Sequence, residues 1–227
     1  MTGAESPHAR PARQQRSRRT LERLLDAAEG VLAEKGLDGA TVPAIAARSG
    51  LSVGVVYRRF SDKDALIRAV YERFFARTRE SNRKALEPGR WASVETARMV
   101  RILVGGMASG YRLHRGLLAA LLAYAETQPD RRFRRRAREL NEEAFGRIAS
   151  LLVSRRQELA HPEPAKAVRF ALLVVGSSLR ALLLSAENPN PFGTGERFAA
   201  ELTRLCLGYL GVESARAGGS RARRPVG

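Results

Sequence analysis

The side chains that could carry catalysis are few and scattered. The chain has three histidines, His8, His114 and His161, and one cysteine, Cys206. General acid–base work or metal ligation needs such groups clustered at short spacing, and here they are not. There is also no glycine-rich phosphate loop and no nucleophile motif, so the sequence predicts a non-enzyme with no cofactor and no metal. The stretch that does ask for a partner is Ser52–Arg59, and Gly54 is its informative residue. A glycine inside a short helix costs roughly 0.5–1 kcal/mol against alanine. Close approach of another surface to the backbone is the usual reason, and a DNA groove is such a surface. The competing reading is chance tolerance of glycine in a GC-rich coding sequence.

The elements around Gly54 must position it. Leu21, Leu24, Leu25, Ala28, Val31 and Leu32 recur at three- and four-residue steps, which predicts a first helix that Gly36 stops. Thr41 is a good N-cap for a short helix through Arg48, with Pro43 in its first turn. Ser49-Gly50-Leu51 reads as a tight turn, and Ser52 as the cap of a third helix, Val53–Arg59. Ser61 with Asp64 gives a capping-box pattern ahead of Leu66, Val70 and Phe74. Ile45, Ala46, Leu51, Val56 and Phe60 can close a small core. That leaves Ser52, Val53, Gly54, Val55, Tyr57 and Arg58 facing outward, the arrangement of a helix-turn-helix.

The run from Thr41 to Leu66, TVPAIAARSGLSVGVVYRRFSDKDAL, resembles the DNA-binding signature of the TetR family of regulators, and Arg18–Gly39 resembles that family's first helix and turn. The likeness spans about residues 18–75. It implies that Thr41 and Ser52 meet phosphates, that the Tyr57 hydroxyl donates to one, and that Lys63 adds a charge-assisted contact. It implies further that Gly54 lets the helix sit deep in the major groove and that Arg58 or Arg59 reaches the backbone. Val53 and Val55 cannot hydrogen-bond, so thymine methyl groups are their natural partners. Arg48 is either a reader of guanine or a solvated surface charge. Arg10, Arg13, Arg16, Arg18 and Arg19 either follow the minor groove or add nonspecific affinity.

The resemblance implies an all-α fold, with an N-terminal three-helix DNA-binding domain followed by a helical ligand-binding and dimerisation domain. The expected boundaries are a disordered basic arm at 1–16, the helix-turn-helix domain at 17–66, the helical domain at 67–211 and a disordered basic tail at 212–227. Beyond residue 75 the periodicity and breakers predict long helices over Trp91–Arg115, Gly116–Gln128, Arg131–Gln157, Pro164–Glu187 and Gly195–Leu210. Dimerisation through the last two helices is implied by the family. Phe170, Leu173, Val174, Ser177, Ser178, Ala181 and Leu182 are the candidate face, and intramolecular core is the alternative. The family also implies an effector pocket, for which Met99, Leu103, Met107, Tyr111, Leu118, Leu122 and Phe145 are the candidates. An ordinary core stripe is the alternative there too. The expected effector is apolar or amphipathic, and the expected DNA partner is a double-stranded, pseudo-palindromic operator. The expected role is a ligand-released repressor working as a homodimer.

Charge adds little to this. The net charge of +17 favours nucleic acid or anionic membrane. Yet lysine occurs only at 35, 63, 84 and 166, and an arginine–alanine bias of this kind follows from GC-rich coding. The run Arg131–Arg138 sits at a helix head, where the dipole disfavours cations. It reads as a solvated face partly paired with Glu139, Glu142 and Glu143. No apolar run reaches the roughly 18 residues of a membrane span, and no secretory signal or disulfide scaffold is visible, which fits the cytoplasm. The rival to a specific regulator is a DNA-compacting protein acting through charge alone, with little sequence preference and a steep salt slope.

Overall fold

Leucine and alanine at three- and four-residue steps build the first helix, and the same logic repeats down the chain. The computed structural model describes residues 9–184 and 195–212. Its helices are α1 (Ala9–Gly39), α2 (Val42–Ser49), α3 (Val53–Tyr57), α4 (Lys63–Ala85), α5 (Thr96–Leu113), α6 (Arg115–Thr127), α7 (Arg131–Val153), α8 (Pro164–Leu184) and α9 (Glu196–Leu210). Short 3₁₀ turns cover Pro88–Trp91 and Arg156–Glu158. No strand occurs among the described residues, so the fold is all-α as expected. Arm residues 1–8, the breaker at 188–191 and tail residues 213–227 lie outside the described residues.

Several boundaries differ from the sequence reading, each for a local reason. α1 begins at Ala9, inside the arm expected at 1–16. Pro11 falls in its first turn, where a missing N–H is harmless, and alanine, arginine and glutamine follow as good helix formers. Gly36 breaks the helical path with φ 67, the left-handed conformation that glycine adopts without strain. α5 opens at Thr96, five residues after Trp91, because Pro88-Gly89 starts a 3₁₀ turn that Trp91 ends. α7 stops at Val153 and the chain turns through Arg156–Glu158. α4 runs through the expected boundary at residue 66 without a break.

The described chain forms two compact units. The first lies within Met1–Ala85 and Gly110–Ala144. Its core joins Leu24, Leu32, Ile45, Val56, Leu66, Val70, Tyr71, Leu121, Tyr124 and Phe133, all nearly inaccessible. Gly116 at the head of α6 lets that helix lie on α1, since a Cβ there would collide with the Ala33 carbonyl oxygen. Outside the core, Arg73 reaches both Asp26 (2.9 Å) and Glu29 (2.7 Å), tying α4 to α1.

The second unit lies within Leu86–Ser109, Phe145–Leu182 and Glu187–Gly227. α8 buries Ala167, Val168, Ala171, Leu172, Val175 and Leu179 along one stripe, and α9 buries Leu202, Cys206 and Leu210. Burial pushes the Cys206 thiol up to about 11. No described helix is long and apolar enough to cross a membrane.

Candidate nucleic-acid interface

The turn between α2 and α3 is built from caps and one left-handed glycine. Thr41 is extended and its Oγ1 accepts from the Ala44 N–H at 3.3 Å, the cap its residue type predicts. At the other end Gly50 has φ 64 and ψ 30, and its N–H donates to α2 carbonyls. Leu51 N–H then returns to Ala46 O at 3.1 Å. Arg23 on α1 donates through Nη2 to Ser49 O at 2.7 Å and lies against Gly50. Sequence reasoning missed Arg23: it sits on the polar side of α1, and its partner is a backbone group 26 residues away that no pattern reveals.

α3 carries the outward face. Val56 is buried at 1% exposure and anchors it, with Leu51 and Phe60 packed at its ends. Ser52, Val53, Gly54, Tyr57 and Arg58 are exposed and Val55 is half-buried. Tyr57 is 53% exposed, large for an aromatic, and its hydroxyl has no partner among the described residues. A Cβ on Gly54 would meet only Ser52 Oγ at 3.9 Å, so no contact among the described residues accounts for this glycine.

Two caps differ from expectation. The Ser52 side chain caps nothing. The Val55 and Val56 N–H groups both bond to the Ser52 carbonyl, at 2.9 and 3.3 Å, which already satisfies the donor a hydroxyl cap would take. At α4 the cap is Asp62 and not Ser61: Asp62 Oδ1 accepts from Ala65 N–H at 2.7 Å, and Ser61 donates to Asp62 Oδ2 at 2.8 Å. The Ala65 N–H, with Ser61 second, holds the Asp62 carboxyl below its usual range. Asp64, expected in a capping box, instead takes Arg68 at 2.7 Å and the Tyr124 hydroxyl at 2.6 Å.

Three basic residues of the expected interface are tethered. Lys63 donates to Leu37 O at 2.8 Å, closing the end of α1. An ammonium has two more donors to offer. Arg59 bonds Ser17 O at 3.0 Å and Ser17 Oγ at 3.1 Å. Arg48 folds back on α1, where Nη1 meets Glu34 Oε2 at 2.5 Å. Its guanidinium lies over Gly30, a position any Cβ would obstruct. That pairing holds the Glu34 carboxyl down and the Arg48 guanidinium up. Arg58 and Thr41 are exposed beside α3.

The other expected residues fall as follows. Met99, Leu103, Met107 and Phe145 belong to the second unit, and Tyr111, Leu118 and Leu122 to the first. Met99 and Leu103 are buried, as is Leu122, while Met107, Tyr111, Leu118 and Phe145 are half-buried. The Phe145 ring occupies the space a Cβ on Gly176 would need, at 2.7 Å, so Gly176 seats this ring on α8. A cleft of about 380 Å³ in the second unit is lined by Glu95–Ala97, Gln157–Ala160, Gly211 and Val212, none of them an expected pocket residue. Phe170, Leu173, Ser177 and Ala181 are exposed, and Val174, Ser178 and Leu182 are half-buried.

Two short helices joined by a left-handed glycine, locked onto α1 and presenting a bare helix face, make the first unit a helix-turn-helix DNA-binding module. Residues 24–70 match the model of the tetR family of bacterial regulatory proteins, and residues 97–210 match the tetracyclin repressor-like C-terminal domain. The chain is a member of the TetR family, a DNA-binding transcriptional regulator and not an enzyme. It is 28% identical to the HTH-type transcriptional regulator BetI of Cronobacter sakazakii over 162 residues, 70% of this chain and 78% of that one. Its fold is similar to that of a TetR-family regulator from Mesorhizobium loti, with TM-score 0.62 and 22% identity over 86% of this chain and 95% of that one. The regulator FadR of Bacillus subtilis, solved in complex with stearoyl-CoA, is similar at TM-score 0.59 and 15% identity, covering 82% and 96% of the two chains.

Proposed function

We propose that this regulator is a homodimeric repressor in which each α3 enters a major groove of a pseudo-palindromic operator and a bound effector releases it. The observation that carries the reading is the outward face of α3. A glycine with open space at its Cβ and an unpartnered phenol stand together on a helix whose inner side is anchored by Val56. In this reading Gly54 admits the groove wall, Val53 and Val55 meet thymine methyl groups, and Thr41, Ser52, Tyr57, Arg58 and Lys63 hold phosphates. Arg59 acts from its tether on α1. Arg48 can read a base only by leaving Glu34.

The dimer reading is supported by exposed apolar side chains on α8 and α9. Phe170 and Leu173 are 52% and 63% exposed, and Leu205 and Tyr209 lie open on the neighbouring helix. The Phe170 and Tyr209 rings stand 5.5 Å apart, so these residues form one patch. Large apolar groups left in water together mark an association surface. The effector we propose is amphipathic, with Met99, Leu103, Met107 and Phe145 as its apolar seat in the second unit; the stearoyl-CoA held by the Bacillus subtilis neighbour has that chemistry. Ligand binding then shifts the dimer toward a spacing of α3 helices that no longer fits successive half-sites. This places its action in the cytoplasm, on the genome.

Selection of bound fragments from the source genome tests the reading. The expected motif is a pseudo-palindrome whose half-site centres lie about 10 base pairs apart, or a multiple of that. Recovery of fragments with no shared motif would contradict it. Long-chain acyl thioesters added to the recovered complex should release the DNA, and release by polar metabolites alone would overturn the effector class.

A further inference from the structure

α7 opens with Arg131, Arg132, Phe133, Arg134, Arg135, Arg136, Ala137 and Arg138. Phe133 turns inward at 6% exposure, its ring edge-on to Tyr71 at 4.9 Å and to Tyr124 at 5.4 Å. With Phe133 fixed inside, the helical period places Arg131, Arg134, Arg135 and Arg138 along the opposite side. All four are exposed, and Arg132 and Arg136 flank them, also exposed. The sequence predicts a solvated face here, partly paired with Glu139, Glu142 and Glu143. Of these, Glu139 lies 3.7 Å from Arg135 and from Arg136, Glu142 is exposed, and Glu143 stands 3.9 Å from Arg79. Among the described residues no carboxylate pairs with Arg131, Arg132, Arg134 or Arg138.

Nothing internal explains so many cations at a helix head. They repel one another and oppose the helix dipole; Glu139 stands near two of them, and Asp130 caps the helix by accepting from the Arg132 N–H at 2.8 Å. The turn that precedes them is anchored. Asp130 pairs with Arg68 of α4 at 2.6 Å, Gln128 takes the same guanidinium at 3.2 Å, and Tyr124 bonds Asp64 at 2.6 Å. The α6–α7 turn is therefore clamped to the first turns of α4. Arg68 lies about 8 Å along the helix from Lys63. The stripe and the helix-turn-helix thus belong to one compact unit.

We propose that Arg131, Arg134, Arg135 and Arg138 form a second duplex-DNA phosphate-binding surface, separate from α3 and anchored in the same unit by the Arg68–Asp130 clamp. Guanidinium groups suit phosphate oxygens, and four of them at this spacing cover about 10 Å, room for two to three phosphates of one strand. The backbone they grip is either the flank of the duplex already held by α3 or a second duplex. An acidic polypeptide is the alternative occupant, disfavoured because this unit already presents its α3 face to the same polyanion.

The test compares the full-length protein with an Arg131→Gln, Arg134→Gln, Arg135→Gln, Arg138→Gln variant on a mixed-sequence 50-base-pair duplex, from 50 to 200 mM salt. An all-lysine variant at the same positions serves as the charge-preserving control. The glutamine variant should show a log–log salt slope shallower by about 2, so that the parent loses about tenfold more affinity across that salt range. The lysine variant should retain most of the parent's slope. A labelled second duplex added to saturated complex separates the two sources: capture by the parent alone assigns the stripe to bridging, and no capture with a changed slope assigns it to the flank. Equal slopes for parent and glutamine variant, with no second duplex captured, would overturn the proposal. So would a glutamine variant that loses polyglutamate binding while its DNA binding is unchanged. If the glutamine variant unfolds, a parent-like slope in a folded Arg134→Gln, Arg138→Gln variant overturns it instead.

Discussion

α3 and the outer side of α8 both face solvent, and they are finished in opposite ways. α3 presents a hydroxyl, a glycine, a phenol and an arginine over a tightly closed interior at Val56. α8 presents Phe170 and Leu173 over an equally well-closed interior at Val168, Leu172 and Val175. The inner halves follow one rule, burial of apolar periodicity. In the proposed reading the outer halves differ because their partners differ: a phosphate-lined groove rewards polar donors, and a second protein surface rewards apolar area. What a helix does is therefore written on the side that folding does not use.

The contrast can be broken from either side. Phe170→Glu with Leu173→Glu should leave the first unit folded but abolish the dimer, read by sedimentation, with operator affinity down about 100-fold because the two modules no longer bind as one. A dimer that survives would move the interface elsewhere. Gly116→Val should cost at least 1–3 kcal/mol in denaturant unfolding, since the new side chain meets backbone at Ala33 and cannot rearrange. Arg23→Ala should cost about 1 kcal/mol and weaken DNA binding together with stability, because it loosens the Ser49–Gly50 turn. Gly54→Ala separates the two roles most cleanly. Stability should rise by about 0.5–1 kcal/mol, as for any exposed helical glycine with open space at its Cβ, while operator affinity falls. The smallest effect concerns acid. Asp62 is held below 3.8 in the folded chain, so the stability it contributes is present above that pH and fades as pH falls through its folded value. The deficit of Asp62→Asn in urea unfolding should accordingly shrink below pH 3.8.

Local rules made much of this legible in the sequence. Period 3.6 located the helices, Thr41 marked the start of α2, and Gly50 marked the turn. The inner set Ile45, Ala46 and Val56 was readable because each element's apolar positions fall on one side. What stayed hidden depends on distant pairing. Arg48 carries no sign that Glu34 and the space over Gly30 will hold it on α1. Nothing around Gly176 in the sequence shows that it accommodates the Phe145 ring, 31 residues back. The α4 cap was misplaced by one residue because serine and aspartate are both good caps, and only geometry chooses between them.

If α3 with its phosphate anchors is the DNA face, a Tyr57→Phe, Lys63→Ala double variant loses operator affinity without losing its fold. Both positions lie outside the buried core, and the Tyr57 hydroxyl has no internal partner to lose among the described residues. The measurement is operator affinity at fixed salt, taken beside sedimentation and thermal unfolding of the same sample. The expected variant keeps the parent's oligomeric state, remains folded with only the small loss at Leu37, and binds the operator at least tenfold more weakly. Binding as tight as the parent's would contradict it.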